Sequence, residues 1–127
     1  MKSTLPVLFV GAGPGDPELI TVKGLKALQQ ADVVVYAGSL VNPALLSELK
    51  PGAVAHDSAP LTLEQVLTIL AEAVAAGQQV VRLHTGDPSI YGAIQEQMEA
   101  LDALGIGYDV IPGVTAAFAA AAGLKQE

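Results

Sequence analysis

Three short stretches combine glycine, proline and a few polar residues in a way that suits small-molecule binding. They are Gly11-Ala12-Gly13-Pro14-Gly15-Asp16-Pro17, Thr85-Gly86-Asp87-Pro88-Ser89 and Pro112-Gly113-Val114-Thr115-Ala116. Glycine lets a ligand approach the main chain closely, and proline fixes the shape of a loop. A helix starting directly after such a loop adds unpaired N–H donors. The chain has no cysteine, which removes disulfides, thiolate metal sites and a cysteine nucleophile together. His56 and His84 are the two histidines, too few for a zinc site, so no metal is expected.

Each candidate has a structural reading beside the functional one. Asp16-Pro17, Asn42-Pro43 and Asp87-Pro88 all have the form of an N-cap followed by proline in the first helical turn. For Asp87 capping outweighs ligand binding; for Asp16 the two stand even. His84 closes an apolar run and reads first as a hydrogen-bonded structural histidine, second as a catalytic one. His56 reads as a surface residue. Tyr36 and Tyr91 serve equally well as packing rings or as pocket walls.

Familiar nucleotide patterns fit poorly. Gly11-Ala12-Gly13 starts like a dinucleotide fingerprint, but the third glycine is displaced and Pro14 interrupts it. The second strand closes Val35-Tyr36-Ala37, with no acid to hold a ribose, and no Gly-Lys-Ser/Thr occurs anywhere. A phospho-acceptor receiver domain is disfavoured too, because the first strand ends in glycine rather than in paired acids.

The elements that must carry these loops follow from periodicity. Leu5–Val10, Val33–Tyr36, Ala53–His56, Gln79–His84 and Tyr108–Ile111 are short apolar runs bounded by turn residues, and read as strands. Between them the spacing becomes helical. From Ile20 the inward residues are Val22, Leu25 and Leu28; Asn42-Pro43 opens a short helix ending near Lys50-Pro51-Gly52. Thr62 and Gln65 form a capping box for a helix whose face is Leu63, Val66, Leu67, Leu70 and Val74, stopped by Gly77. Ser89–Leu104 is helical with Ile94, Met98 and Leu101 inward, and Thr115–Ala122 forms an Ala-rich helix. Strict alternation of strand and helix implies one α/β domain, an open parallel sheet with helices on both faces. Ligands of such sheets bind outside the carboxyl ends of the strands, where all three loops fall.

Bulk properties narrow the partners. The chain has 127 residues, 51% of them hydrophobic, a net charge of −7 and one arginine, Arg82. That balance argues against nucleic acid, whose phosphates need a basic patch. The apolar stretch after Lys2 is too short for a signal sequence and runs into a Gly/Pro/Asp loop, and no run reaches the length of a membrane span. We expect a soluble, cytoplasmic protein.

At this point the loops become recognisable. Val10–Gly24, with its Gly11-Ala12-Gly13-Pro14-Gly15-Asp16-Pro17 core, resembles the N-terminal loop of the tetrapyrrole (corrin/porphyrin) methyltransferases. His84-Thr85-Gly86-Asp87-Pro88-Ser89-Ile90-Tyr91-Gly92 resembles their second loop and Ile111-Pro112-Gly113-Val114-Thr115-Ala116 their third, in the same order and spacing. Within the family, Tyr36-Ala37-Gly38-Ser39-Leu40-Val41, Thr85–Pro88 and Gln95-Glu96-Gln97-Met98 most resemble the branch that methylates C11 of precorrin-4. The uroporphyrinogen-III branch, which with other precorrin methyltransferases is the alternative, usually has an acid where Ala37 stands and glycine where Thr85 stands.

The resemblance implies a five-stranded N-terminal domain, residues 1–127, whose family partners carry a second α/β domain that this chain lacks. It implies S-adenosylmethionine as cofactor, with S-adenosylhomocysteine as product, and a tetrapyrrole substrate in cobalamin or porphyrin biosynthesis. Pro14, Thr85, Gly86, Asp87, Ile90, Thr115 and Ala116 would contribute to the cofactor site; Asp16 and the Ser39–Leu40 turn would border the tetrapyrrole. The full-length enzymes are usually homodimers. No general base is assigned, Asp16 and His84 being candidates only, and the half alone is expected to be inactive. The net acidity of the chain runs against long-range steering of a polycarboxylate substrate. Two readings from other classes stay open: an inactive dimerising or binding module, and a protein that uses the same scaffold for an unrelated ligand.

Overall fold

The computed structural model describes residues 5–13, 17–38, 41–84 and 93–113. Five strands, β1 (Val7–Gly11), β2 (Val33–Tyr36), β3 (Val54–Asp57), β4 (Val80–His84) and β5 (Tyr108–Ile111), form one sheet in the order β3-β2-β4-β1-β5. Every pairing is parallel. Among the described residues four α-helices connect them: α1 (Val22–Gln30), α2 (Pro43–Leu46), α3 (Leu63–Ala75) and α4 (Ala93–Ala103), with a 3-10 turn at Pro17–Leu19.

The strand sequences explain the order. In a parallel sheet covered on both sides, central strands read as continuous apolar runs. Val33, Val34 and Val35 of β2 and Val80, Val81, Arg82 and Leu83 of β4 are all buried, whereas Val54, Ala55 and Asp57 of edge strand β3 are exposed. One face packs Val7, Phe9, Val33, Val35 and Val80 against α3 and α4, through Val66, Leu70, Ala73, Val74, Ile94 and Leu101. The other packs Val10, Val34, Val81, Leu83 and Ile111 against Ala27 and Leu28 of α1 and Leu45 of α2. The expected parallel sheet with helices on both faces is therefore present.

Local chemistry sets the helix ends. The Asn42 side chain accepts from the Ala44 N–H at 2.9 Å, with Pro43 in the first turn. Thr62 and Gln65 close the capping box in both directions, at 3.2 and 2.9 Å. Gly77 and Gly105 follow α3 and α4 at positive φ, as helix-terminating glycines do.

Some expectations shift. Helix α1 starts at Val22 with Thr21 as its cap, and Val22 is 71% exposed rather than inward. The inward face is Gly24, Ala27 and Leu28. A Cβ on Gly24 would lie 3.1 Å from Val10 Cγ1, so this glycine brings α1 close to β1 and sets its rotation. Leu63 is 40% exposed because it opens α3, beyond the sheet's cover. Helix α2 is a single turn, ending at Leu46 rather than near Lys50. The expected helix at Thr115–Ala122 and the start of the one at Ser89 lie outside the described residues.

Candidate functional site

Three loops leave neighbouring strands at one edge. β4 ends at His84, β1 at Gly11 and β5 at Ile111, and these strands lie side by side. In register, Gly11 pairs with His84 and Val10 with Ile111. The Ala12 N–H donates to the His84 carbonyl at 2.6 Å, which carries the β1–β4 pairing one residue into the first loop. Helix α1, which follows β1, packs on one face; α4, which follows β4, packs on the other. Adjacent strands whose chains depart to opposite faces leave a crevice between them, the usual ligand position in open α/β sheets.

The first loop is shaped by Gly13. Its φ is +85°, and a Cβ there would stand 3.0 Å from the Leu19 carbonyl oxygen. The chain after β2 turns at Gly38, also at positive φ, where a Cβ would meet Ala59 Cβ at 3.0 Å. Neither position accommodates a side chain without a shift.

Beneath this edge lies a polar group that sequence reasoning missed. Arg82 is 6% exposed, and its guanidinium donates to Gln97 Oε1 at 3.1 Å and to the Val35 carbonyl at 3.2 Å. Gln97, on α4, is 7% exposed. Burial brings the Arg82 pKa down to about 10, which leaves it charged near neutrality. The signal was available: an arginine inside Val80-Val81-Arg82-Leu83, in a sheet covered on both faces, must be buried on one of them.

His84 shares that face. Its ring stacks on Phe9 with centroids 5.9 Å apart, and Phe9 meets Tyr108 edge-on at 6.0 Å. Burial first, and the Arg82 charge second, lower its pKa to about 3, so the imidazole is neutral. His84 Nε2 is buried with no hydrogen-bond partner among the described residues. The sequence reads this residue first as a hydrogen-bonded structural histidine, and the described residues give its Nε2 no such partner.

Pro14, Asp16, Ser39, Leu40, Thr85, Gly86, Asp87, Ile90, Thr115 and Ala116, the sequence-derived site residues, lie outside the described residues, as does Tyr91. The strand ends that launch their loops are described, and they converge as expected. His56, on edge strand β3, is half-buried and lines a surface hollow with Val33, Ile69 and Glu72, apart from the β4-β1-β5 strand ends. Among the described residues no cluster of His, Cys, Asp or Glu is arranged to hold a metal ion. No helix among them is long and apolar enough to cross a membrane.

Comparison with known proteins adds to this geometry. Residues 6–127 match the family model described as Tetrapyrrole (Corrin/Porphyrin) Methylases. A cobalt-precorrin-4 C(11)-methyltransferase of Methanocaldococcus jannaschii is 55% identical over 127 residues, covering 100% of this chain and 49% of the relative. A precorrin-4 C(11)-methyltransferase of Mycobacterium tuberculosis is 54% identical over 123 residues, 97% of this chain and 49% of its own length. The chain therefore spans about half the length of the curated relatives it matches. The X-ray structure of a cobalt precorrin-4 methyltransferase superposes with a TM-score of 0.92 at 52% identity, over 95% of this chain and 51% of that one. A uroporphyrin-III C-methyltransferase of Thermus thermophilus, solved with S-adenosylhomocysteine, superposes at 0.74 with 37% identity, over 87% of this chain and 46% of that one.

Proposed function

The chain belongs to the tetrapyrrole (corrin/porphyrin) methylases, and from that premise we propose that it forms the N-terminal half of an S-adenosylmethionine-dependent methyltransferase acting on C11 of precorrin-4 or its cobalt form. One observation carries the choice of substrate: identity with C11-methyltransferases reaches 55% along all 127 residues, against 40% for a uroporphyrinogen-III relative. Cobalt-bearing and metal-free substrates both occur among the relatives at nearly equal identity, so the pair stands as one class.

The described edge fits such a cofactor. At the carboxyl ends of β4, β1 and β5 the chain places His84, Gly11-Ala12-Gly13 and Ile111-Pro112-Gly113, which combine glycine-rich main chain, small apolar groups and a neutral imidazole. In this reading Pro14, Thr85, Gly86, Asp87, Ile90, Thr115 and Ala116 hold the cofactor, while Asp16, Ser39 and Leu40 border the tetrapyrrole. We place the full-length enzyme in the cytoplasm as a homodimer.

When bound, S-adenosylmethionine would supply an electrophilic methyl for a nucleophilic ring carbon, the sulfur leaving as the thioether of S-adenosylhomocysteine and the macrocycle losing a proton. The protein's part is alignment. Fixing two reactants in an attack geometry lowers a barrier by about 7–11 kcal/mol. The paired ends of β1 and β4, joined by the Ala12–His84 hydrogen bond, give the loops a rigid base for that task. Neutral His84 carries no proton to donate near pH 7 as an imidazolium.

The test is calorimetric titration of S-adenosylhomocysteine into this chain, alone and with the C-terminal half of the Methanocaldococcus jannaschii relative supplied. Saturable binding when both halves are present supports the reading. Absence of binding in both cases removes the methyltransferase assignment and favours an unrelated ligand.

A further inference from the structure

The buried guanidinium of Arg82 touches two other elements that lead to different parts of the proposed site. Its bond to the Val35 carbonyl reaches β2 one residue before Tyr36, from which the chain runs through Ala37 and Gly38 toward the substrate-side turn. Its bond to Gln97 reaches the first half of α4, the helix that receives the chain from the second loop. Arg82 itself lies two residues before His84, where that loop departs. Among the described residues no carboxylate lies within ion-pair distance of it.

Stability is a weak reason to bury this residue. A buried charge loses its hydration, and neutral acceptors return only part of that loss. In the sheet Arg82 stands in register with Phe9 on one side and Val35 on the other, both members of the apolar core that α3 and α4 cover. Replacing a buried polar pair by apolar groups of similar shape is often neutral or stabilising. A guanidinium supplies something an apolar side chain does not: a planar set of donors that fixes angle as well as distance.

Resting on the methyltransferase reading, we propose that Arg82 is a positioning residue: it locks the first half of α4 to the end of β2, so that the strand ends at Tyr36 and His84, from which the substrate-side and cofactor segments depart, keep one mutual geometry. Gln97 is its counterpart on the helix. Neither side chain touches the ligands; both act through the elements they join.

The double variant Arg82→Met/Gln97→Leu removes the brace and leaves no orphaned side-chain partner. Its S-adenosylhomocysteine affinity is expected to fall by about tenfold or more, as misplacement at a distance does. Its Tm is expected to stay within about 4 °C of the parent, or to rise. Parent-like affinity in the variant overturns the proposal. A variant that fails to fold, or loses Tm together with affinity, also overturns it, since Arg82 would then be a stabilising residue. If the parent itself binds nothing with both halves present, the methyltransferase reading fails first, and that outcome is distinct from a defect confined to the variant.

Discussion

The imidazole of His84 lies stacked on the ring of Phe9, with 5.9 Å between centroids and 19° between planes. Protonating that ring would place a second cation beside Arg82, away from water. Burial and Arg82 accordingly lower its pKa from 6.5 to about 3. In the unfolded chain the histidine titrates near its ordinary value, so the unfolded state binds the extra proton first. Stability is then fully present above about pH 6.5 and falls as the pH drops toward 3. By pH 4 the loss is on the order of 3 kcal/mol. Urea unfolding at stepped pH measures it, and His84→Phe, which keeps a ring against Phe9, is expected to remove the slope between pH 6.5 and 4. An unchanged slope in that variant would assign the acid sensitivity to other groups.

At the opposite edge, Asp32 joins three segments and makes a second, separable prediction. Its carboxylate accepts from Lys50 Nζ at 2.7 Å and from the Gln79 N–H at 2.7 Å. The Lys50 bond first, then the Gln79 bond, lower the carboxyl pKa. Both side chains of the ion pair are more than a third exposed or close to it, at 42% and 34%. Lys50→Met should therefore cost less than about 1 kcal/mol, and less still in high salt. Asp32→Ala strands the Gln79 N–H as well, and should cost about 1–3 kcal/mol. A depressed carboxyl contributes above its unfolded pKa and loses that contribution as pH falls through the folded one. This loss therefore begins near the ordinary carboxyl value of 3.8, at the acid end of the window assigned to His84. Denaturation of the two variants side by side checks the ranking.

The caps offer the most local prediction. Thr62 accepts from the Gln65 N–H while the Gln65 side chain accepts from the Thr62 N–H. Thr62→Ala should lower stability by about 1 kcal/mol, and Thr62→Ser should restore most of it. Thermal unfolding of the pair is sufficient to see this.

Local chemistry of this kind was legible in the sequence. Asn42, Thr62 and Gly77 announce helix ends because the groups that make the cap are neighbours in the chain. The strands were legible because runs such as Val33-Val34-Val35 fit a sheet buried on both faces. The rotation of α1 was not, since it depends on Gly24 meeting Val10 of another element, and so Val22 faces outward. Nor was the brace of Arg82: its partners come from β2 and α4, and only the crossover that inserts β4 between β2 and β1 brings them together. The loops were visible by their glycine and proline content, and they also carried the family. Their common edge follows from parallel topology, whereas the side-by-side order β4-β1-β5 required the fold.

Gly38 and Gly77 separate two reasons for keeping a glycine. Both have positive φ, +64° and +76°, so an alanine at either pays the left-handed penalty, roughly 1–2 kcal/mol. At Gly77 nothing lies within 4 Å of an added Cβ. At Gly38 the same atom would stand 3.0 Å from Ala59 Cβ and 3.3 Å from Asp57 Oδ1, and that carboxylate already accepts from the Ala59 N–H at 2.8 Å. The turn after β2 is thus pressed against the turn after β3, and it cannot widen without disturbing the Asp57 bond. Gly77→Ala should cost the backbone penalty alone, and Gly77→Asn less, because asparagine tolerates this conformation. Gly38→Ala should cost about 1–3 kcal/mol more than Gly77→Ala, the increment expected of overpacking. Equal losses in urea unfolding would show that the Gly38 turn relaxes freely. A larger loss at Gly38 would show that the turn after β2 is held firmly against Ala59 and Asp57.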